Sequence, residues 1–297
     1  MPAQRVPSED FVWGSGSGPA AVVESVRRAC REDPGPAGQD PLDEAASLHL
    51  KHHGLAGASM WLTGEDGFAF AHDGQVDLAV APSARRQGLG GQLAAAALAA
   101  EGPVRAWSHG DHPGAGHLAA RHGLDRVREL WVMRRPTAQP LPEPVVPDGL
   151  ALRSWRDGDE DELLRVNAAA FAAHPEQGAM DAANLAERMA EEWFDPAGLI
   201  VATAGASIAG FHWTKQQSAS VGEVYVVGID PAWQGRGLGR LLTLAGLHHL
   251  AGLGVDEVLL YVESDNSAGT RLYGGLGFTH AAADTHVMYA RRATGAS

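Results

Sequence analysis

The residues Gln234-Gly235-Arg236-Gly237-Leu238-Gly239 are the segment of this chain most suited to holding a ligand. An apolar run precedes them and a leucine-rich run of helical character follows, so they place successive backbone N–H groups at a helix N-terminus. Without side chains at Gly235, Gly237 and Gly239, an anion can approach that backbone closely. The positive end of the helix then favours a phosphate. The same turn occurs earlier as Arg85-Arg86-Gln87-Gly88-Leu89-Gly90. Pro82 and Pro231, Gly88 and Gly237, and Gly90 and Gly239 each stand 149 residues apart in a chain of 297. A repeat on that scale is a duplicated domain, because solenoid units recur every ~20–50 residues. Two nucleotide fingerprints fail. The dinucleotide pattern GxGxxG would need glycine where Arg240 stands, and no lysine-serine/threonine pair follows to make a triphosphate loop.

The elements that must position these turns are legible. Prolines at 136, 140, 142, 144 and 147 forbid helix and central strand, and so predict an extended connector from Pro136 to Gly149. Leu130–Arg134 reads as the strand closing the first half, and Leu150–Arg153 as the strand opening the second. In the second half an acidic helix start at Asp157–Asp161 precedes Leu163, Leu164, Val166, Ala170 and Phe171 at helical spacing. A second helix is predicted around Asn184–Trp193, then a hairpin of Leu199–Thr203 with Ile208–Lys215. Glu223–Ile229 and Val258–Glu263 read as strands, separated by a helix over Arg240–Leu253. Asn266 can cap a short helix through Tyr273 that ends at Gly277, and Val287–Ala290 is the final strand. The first half follows the same order from Gln75 onward, with helices near Ala20–Arg31 and Leu42–His52. The predicted class is mixed α/β with two similar lobes.

Composition excludes several functions. A formal net charge of −13 is unsuited to nucleic-acid phosphate. Cys30 is the single cysteine, which rules out an internal disulfide or a thiolate metal cluster and suits a reducing compartment. The segment from Met1 to Asp10 lacks the apolar stretch of a secretory signal, and the run near Leu93–Ala100 falls far short of the ~18 residues of a membrane span. A monomeric cytoplasmic protein without membrane or nucleic-acid partners is expected. His109-Gly-Asp-His112 and His248-His249 lack a third ligand at recognisable spacing and no HExxH is present, so no metal is expected.

The pattern Q/R-x-x-G-x-G/A between a strand and a helix resembles the pyrophosphate signature of the GCN5-related N-acetyltransferases (GNAT), and both turns match it. A closer resemblance lies in His174-Pro-Glu176-Gln-Gly178, Phe211-His-Trp-Thr-Lys215, Gly222-Glu-Val-Tyr-Val-Val-Gly-Ile-Asp230 and Tyr261-Val-Glu-Ser-Asp-Asn266. These segments look like the mycothiol synthase family, tandem acetyltransferases that acetylate the cysteine amine of cysteinyl-glucosaminyl-inositol with acetyl-CoA. The likeness covers nearly all of the second half. In the first half it covers Pro41-Leu-Asp-Glu44 and the glycine turn. It implies an α/β fold (α+β, mixed sheet) of two tandem GNAT-like acetyltransferase domains. Residues 1–135 would form an N-terminal, non-catalytic acetyl-CoA-binding domain, 136–148 a proline-rich linker and 149–297 the catalytic domain.

That family's fold splays the strand Glu223–Ile229 from the strand Val258–Glu263 at a bulge, and the pantetheine arm lies in the opening. The resemblance therefore implies cofactor contacts at Val227, Gly228 and Ile229, at Gln234, Gly235, Arg236, Gly237, Leu238, Gly239 and Arg240, and at Asn266, Ser267, Ala268, Gly269, Thr270 and Arg271. In the first half it implies Leu78, Ala79, Val80, Arg85, Arg86, Gln87, Gly88, Leu89 and Gly90. Glu223 is the implied general base and Tyr273 the acid for the coenzyme A thiolate. An α-amine titrates about 3.5 units above a free glutamate, or ~5 kcal/mol, so direct abstraction is unfavourable and a water relay from a partly neutral amine is favoured. Substrate contacts implied by motif are Glu44, Glu176, Lys215, Glu223 and Tyr261, whose carboxylates suit hydroxyls and an ammonium group. Setting Pro82 on Pro231 puts Gly74 where Glu223 stands, and setting Gly123 on Gly277 puts Ala119 where Tyr273 stands, so the first half lacks both working groups. With no nucleophile elbow, direct transfer in a ternary complex is expected. Two readings stay open beside this one. The chain would be a tandem acetyltransferase for another small amine, such as an aminoglycoside, or a protein N-terminus, or else a non-catalytic acyl-CoA sensor.

Overall fold

The computed structural model describes residues 2–33, 39–100, 104–172 and 178–291. The chain divides into two compact units. Residues 1–131, 263–265 and 281–297 make the first, and residues 132–262 and 266–280 the second.

In the first unit the sheet order is β1 (Gln4–Arg5), β2 (Ser59–Leu62), β3 (Gly67–His72), β4 (Gln75–Val80), β5 (Arg105–Ser108) and then β12 (Thr279–Arg291). Alternation along β3 decides what each face buries. Phe68 and Phe70 meet α1 (Gly18–Arg31) and α2 (Glu44–His53) through Val23, Val26, Ala46 and Leu50. Ala69 and Ala71 face α3 (Leu89–Ala100) through Leu93 and Ala97. Each buried leucine or phenylalanine contributes ~1.5–3 kcal/mol, so the two layers of helix are held chiefly by these side chains. A short helix, α4 (Pro113–Arg121), follows β5. It is capped by His112, whose Nδ1 accepts from the Gly114 N–H at 3.0 Å.

β6 (Leu124–Pro136) runs from the first unit into the second. In the second unit the order is β6, β11 (Glu257–Glu263), β10 (Val221–Ile229), β9 (Ser207–Gln216), β8 (Leu199–Ala204) and β7 (Ala151–Ser154). The layering repeats. Leu199, Val201, Phe211 and Trp213 pack on α5 (Glu160–Ala170) and α6 (Ala182–Met189). Ile200, Ala202 and Ala209 pack on α7 (Leu238–Gly252). α8 (Ser267–Gly274) follows β11 and is capped by Asn266, whose side chain accepts from the Gly269 N–H at 2.9 Å. Residues 140–147 take neither helix nor strand, as the prolines require.

One feature of the halves departs from the sequence reading. The last strand does not complete the sheet of the half that encodes it. Residues Val287–Ala290 of β12 pair antiparallel with Arg105–Ser108 of β5 in the first unit. The compact units are therefore discontinuous in sequence, whereas the repeat divides the chain at its proline-rich connector. The compact units describe packing, and the 149-residue repeat describes duplication in the sequence. No helix of the described residues is long and apolar enough to cross a membrane.

Candidate active site

The second unit opens its sheet in one place. β10 and β11 run parallel from Val221↔Glu257 to Val224↔Leu260. Beyond that pair, Val226, Val227, Gly228 and Ile229 keep partners on β9 (Trp213, His212, Phe211 and Gly210) and none on β11 among the described residues. The register against β9 shifts between Val224 and Val226, which leaves Tyr225 as the extra residue of a bulge. A bulge bends its strand and raises its twist, which is how one strand leaves its neighbour. The edge of β10 from Val226 to Ile229 is thus a line of backbone groups facing an opening. Gly228 lies so close to Phe211 that an added Cβ would meet its ring at 2.5 Å.

β10 leads through Asp230 into the glycine turn. Gly235 and Gly237 have φ of 76° and 79°, the left-handed region where a Cβ is costly. Gly237 is the N-cap of α7, and the first turn of that helix carries N–H groups that no helical carbonyl can meet. Asp230 anchors the turn. Its carboxylate accepts from the Ala232 N–H at 2.9 Å and pairs with Arg165 at 2.6 Å, which holds the Asp230 carboxyl below its ordinary range. Arg236 stacks over Trp233 at 4.8 Å.

Glu223 sits just before the bulge, between Lys215 on β9 and Leu259 on β11. The sequence reading treats it as a strand-end glutamate, yet the strand begins two residues earlier and Glu223 is only 5% exposed. Gln217 Nε2 donates to its Oε2 at 2.6 Å, which fixes the carboxylate's orientation. Its cross-strand neighbour Lys215 holds its ammonium 4.6 Å from the Trp193 ring and 5.3 Å from that of Tyr225. Trp193 and Tyr225 in turn pack edge-on at 5.0 Å, and both lie against Trp213. The bulge is what brings Tyr225 to this cluster. Sequence reasoning missed Gln217, Trp193 and Tyr225. Only the paired aromatic and cation residues hinted at them, spread over distant segments.

Tyr273 lies on the last turn of α8, half-buried, with its ring edge-on to Phe278 at 6.0 Å. Burial pushes its phenol up to about 12, so it carries its proton throughout the neutral range. Tyr261, on β11 just past the last pair with β10, is 40% exposed. Glu223, Lys215, Tyr261, Tyr273, the Val226–Ile229 edge, the glycine turn and Asn266–Arg271 all belong to the second unit. Glu44 begins α2 in the first unit, beside the cap Asp43. Glu176 lies outside the described residues.

In the first unit the corresponding strand is built differently. β4 pairs with β3 without a break from His72↔Gln75 to Gly67↔Val80, and among the described residues with β5 at Gln75↔Arg105 alone. Since β4 lacks the bulge, counting from the turn along the sheet places Gln75, opposite His72, where Glu223 stands opposite Lys215. This corrects the ungapped alignment, which puts Gly74 there and is one residue out. Gln75 Nε2 donates to Asp43 at 3.0 Å and to Asp77 at 3.2 Å. Asp77 is fully buried, and burial pushes its carboxyl up. In the turn, Arg86 takes the left-handed conformation of Gly235, at φ 63°. Arg85 folds back, with Nη1 on Asp33 at 2.6 Å and Nε on the Val80 carbonyl at 3.3 Å.

The Acetyltransferase (GNAT) family model matches residues 163–278. Two solved structures share the fold over almost the whole chain. A GCN5-related N-acetyltransferase from Sphaerobacter thermophilus superposes with a TM-score of 0.68 at 22% identity, covering 97% of this chain and 94% of that one. A tandem GNAT protein from the clavulanic acid biosynthesis pathway gives 0.68 at 21% identity, covering 97% and 98%. The chain is an acetyl-CoA-dependent acetyltransferase of the GNAT class. At closer range, a mycothiol acetyltransferase of Nocardioides sp. is 56% identical over 292 residues, spanning 92% of this chain and 97% of that protein. The chain belongs to the mycothiol acetyltransferase family.

Proposed function

We propose that this chain carries out the last step of mycothiol biosynthesis, moving the acetyl group of acetyl-CoA onto the cysteine amine of cysteinyl-glucosaminyl-inositol at the opening between β10 and β11. The observation that carries this reading is the divergence of those strands past Val224 and Leu260, with buried Glu223 at its closed end. Gln234–Gly239 and Arg240 take the pyrophosphate. Asn266–Arg271 border the cofactor's far side, and backbone groups of Val227, Gly228 and Ile229 pair with the pantetheine arm. One of those N–H groups polarises the thioester carbonyl.

Glu223 accepts the amine proton through a water as the nitrogen attacks the carbonyl carbon. The C–N bond forms, the C–S bond breaks, and Tyr273 gives its proton to the departing thiolate. Solvent returns that proton to the phenol. No step needs a covalent enzyme intermediate or calls on a metal. Lys215 and Tyr261 contact the substrate beside Glu223, and Glu44 and Glu176 are substrate contacts by the motifs that carry them. The first unit keeps Leu78–Val80 and the Arg85–Gly90 turn for acetyl-CoA but transfers nothing. The protein works as a cytoplasmic monomer, where acetyl-CoA is made and used.

The test is purified protein with acetyl-CoA and the cysteinyl pseudo-disaccharide, followed by chromatography for coenzyme A and mass spectrometry for the acetylated amine. The reading expects one coenzyme A released per N-acetyl product. Equal or faster acetylation of an aminoglycoside or a peptide N-terminus would assign the chain to another amine.

A further inference from the structure

The β3–β4 hairpin of the first unit gathers groups that have no counterpart in the second, and the acetyl transfer does not use them. We propose that His49, His72 and Asp73 bind a divalent transition-metal ion, with Zn²⁺ the best-matched species. One ring nitrogen from each histidine and one carboxylate oxygen all lie within 4.8 Å of one another. His72 Nδ1 is 3.8 Å from Asp73 Oδ2. A tetrahedral zinc with bonds of ~2.1 Å separates its ligand atoms by about 3.4 Å, so side-chain rotations that draw the three donor atoms about 1 Å closer complete the set. Imidazole nitrogen with carboxylate oxygen is a donor set that zinc takes readily.

A second observation points the same way. Ligating histidines have their other ring nitrogen held by a carboxylate or a backbone carbonyl, which fixes tautomer and orientation. His49 has the second of these, and His72 stands beside a carboxylate without a hydrogen bond formed to it. His72 Nε2 lies 3.3 Å from the carboxylate of buried Asp77, and His49 Nε2 lies 3.1 Å from the Ala56 carbonyl oxygen. Phe70 stacks on the His72 ring at 4.7 Å and packs against that of His49 at 5.7 Å, so both rings are locked by packing.

The turn between the strands is Asp73-Gly74, both left-handed at φ 46° and 72°. That two-residue connection sets the Asp73 carboxylate beside His72. The His72 side chain is 6% exposed and that of Asp73 is 85% exposed, which gives a rigid floor and an open entrance for the ion. The bound ion would fasten α2 to the hairpin, and water would fill the fourth position. His72 and Asp73 are adjacent but His49 stands 23 residues before His72, so no spacing motif announces the set.

The experiment is calorimetric titration of the chelator-treated full-length protein with Zn²⁺, with Co²⁺ visible absorption as a second readout. One equivalent should bind and raise the melting temperature. His49→Gln and Asp73→Asn should each weaken binding at least ten-fold. Asp77→Asn, which removes the carboxylate behind His72, should weaken it about 10–100-fold. Asp77 is buried and its variant would lose fold as well as affinity, so exposed Asp73 supplies the decisive comparison. Absence of Zn²⁺ binding by the wild-type chain would overturn the proposal. So would undiminished affinity in the His49→Gln/Asp73→Asn double variant, which would mean that other histidines hold the ion.

Discussion

β4 and β10 fill the same place in two similar sheets, and one extra residue separates their fates. β10 carries Tyr225 as a bulge, stays paired with β11 for four residues and then leaves it. β4 has an unbroken register with β3 and, among the described residues, a single parallel pair with β5. The bulge sets Tyr225 under Lys215, and two residues before it Glu223 stands opposite Lys215 inside the paired strands. The matching pair in the first unit is Gln75 with His72, and its groups are turned on Asp43 and Asp77. The glycine turn recurs in both units, but the groups on the strand that leads into it differ in kind. A repeated turn therefore says little about whether a reaction follows.

The comparison can be broken most sharply at Glu223. Glu223→Gln should lower turnover by ~10²–10⁴-fold, the usual contribution of a positioned base, with an unchanged melting temperature. Gln75→Ala, its first-unit counterpart, should leave turnover within about two-fold. Tyr273→Phe should cost ~10²-fold or more in turnover while coenzyme A affinity stays nearly constant. Because burial pushes that phenol up to about 12, the wild-type enzyme should show no alkaline fall in turnover from loss of this proton until the pH nears that value. An ordinary tyrosine would begin to fail near 10.

Smaller effects test the supports. Trp193→Ala removes one of the two rings beneath the Lys215 ammonium. A cation–π contact is worth ~0.5–2 kcal/mol, so KM for the amine should rise by roughly 2–30-fold with a lesser change in kcat. The smallest effect lies in the turns. Gly235→Ala should destabilise by ~1 kcal/mol, because the added Cβ meets a left-handed backbone at φ 76°. Arg86→Gly relieves the same strain in the first unit but loosens the unfolded chain, leaving a stabilisation of a few tenths of a kcal/mol. Paired thermal melts would show whether the two turns respond with opposite sign.

Much of this architecture was legible in the residues. The connector follows from its prolines, the helices from their apolar spacing and caps, and the two turns from their glycines. Most strand ends fell within two residues of expectation, but β6 begins six residues before Leu130 and β12 eight residues before Val287. What stayed hidden has a common cause in long-range pairing. Tyr225 carries no glycine or proline to announce a bulge, so an ungapped comparison set Gly74, not Gln75, beside Glu223. The burial of Glu223 could not be read from a strand-end position, because it depends on Leu259 and Lys215 from two neighbouring strands. The pairing of β12 with β5 is equally invisible, since Val287–Ala290 reads as a strand whichever sheet receives it. The His49, His72 and Asp73 cluster shares this character, for α2 and the hairpin come together through tertiary packing, with Phe70 against Leu50 and His49.

The most direct test is the position of the thioester when a non-reactive acetyl-CoA analogue is bound, determined crystallographically. The account predicts its carbonyl oxygen within hydrogen-bond reach of a backbone N–H between Val227 and Ile229, with the Tyr273 hydroxyl beside the sulfur and Glu223 one water from the acyl carbon. A thioester found away from the β10–β11 opening, with the Glu223 and Tyr273 oxygens on separate surfaces, would contradict it.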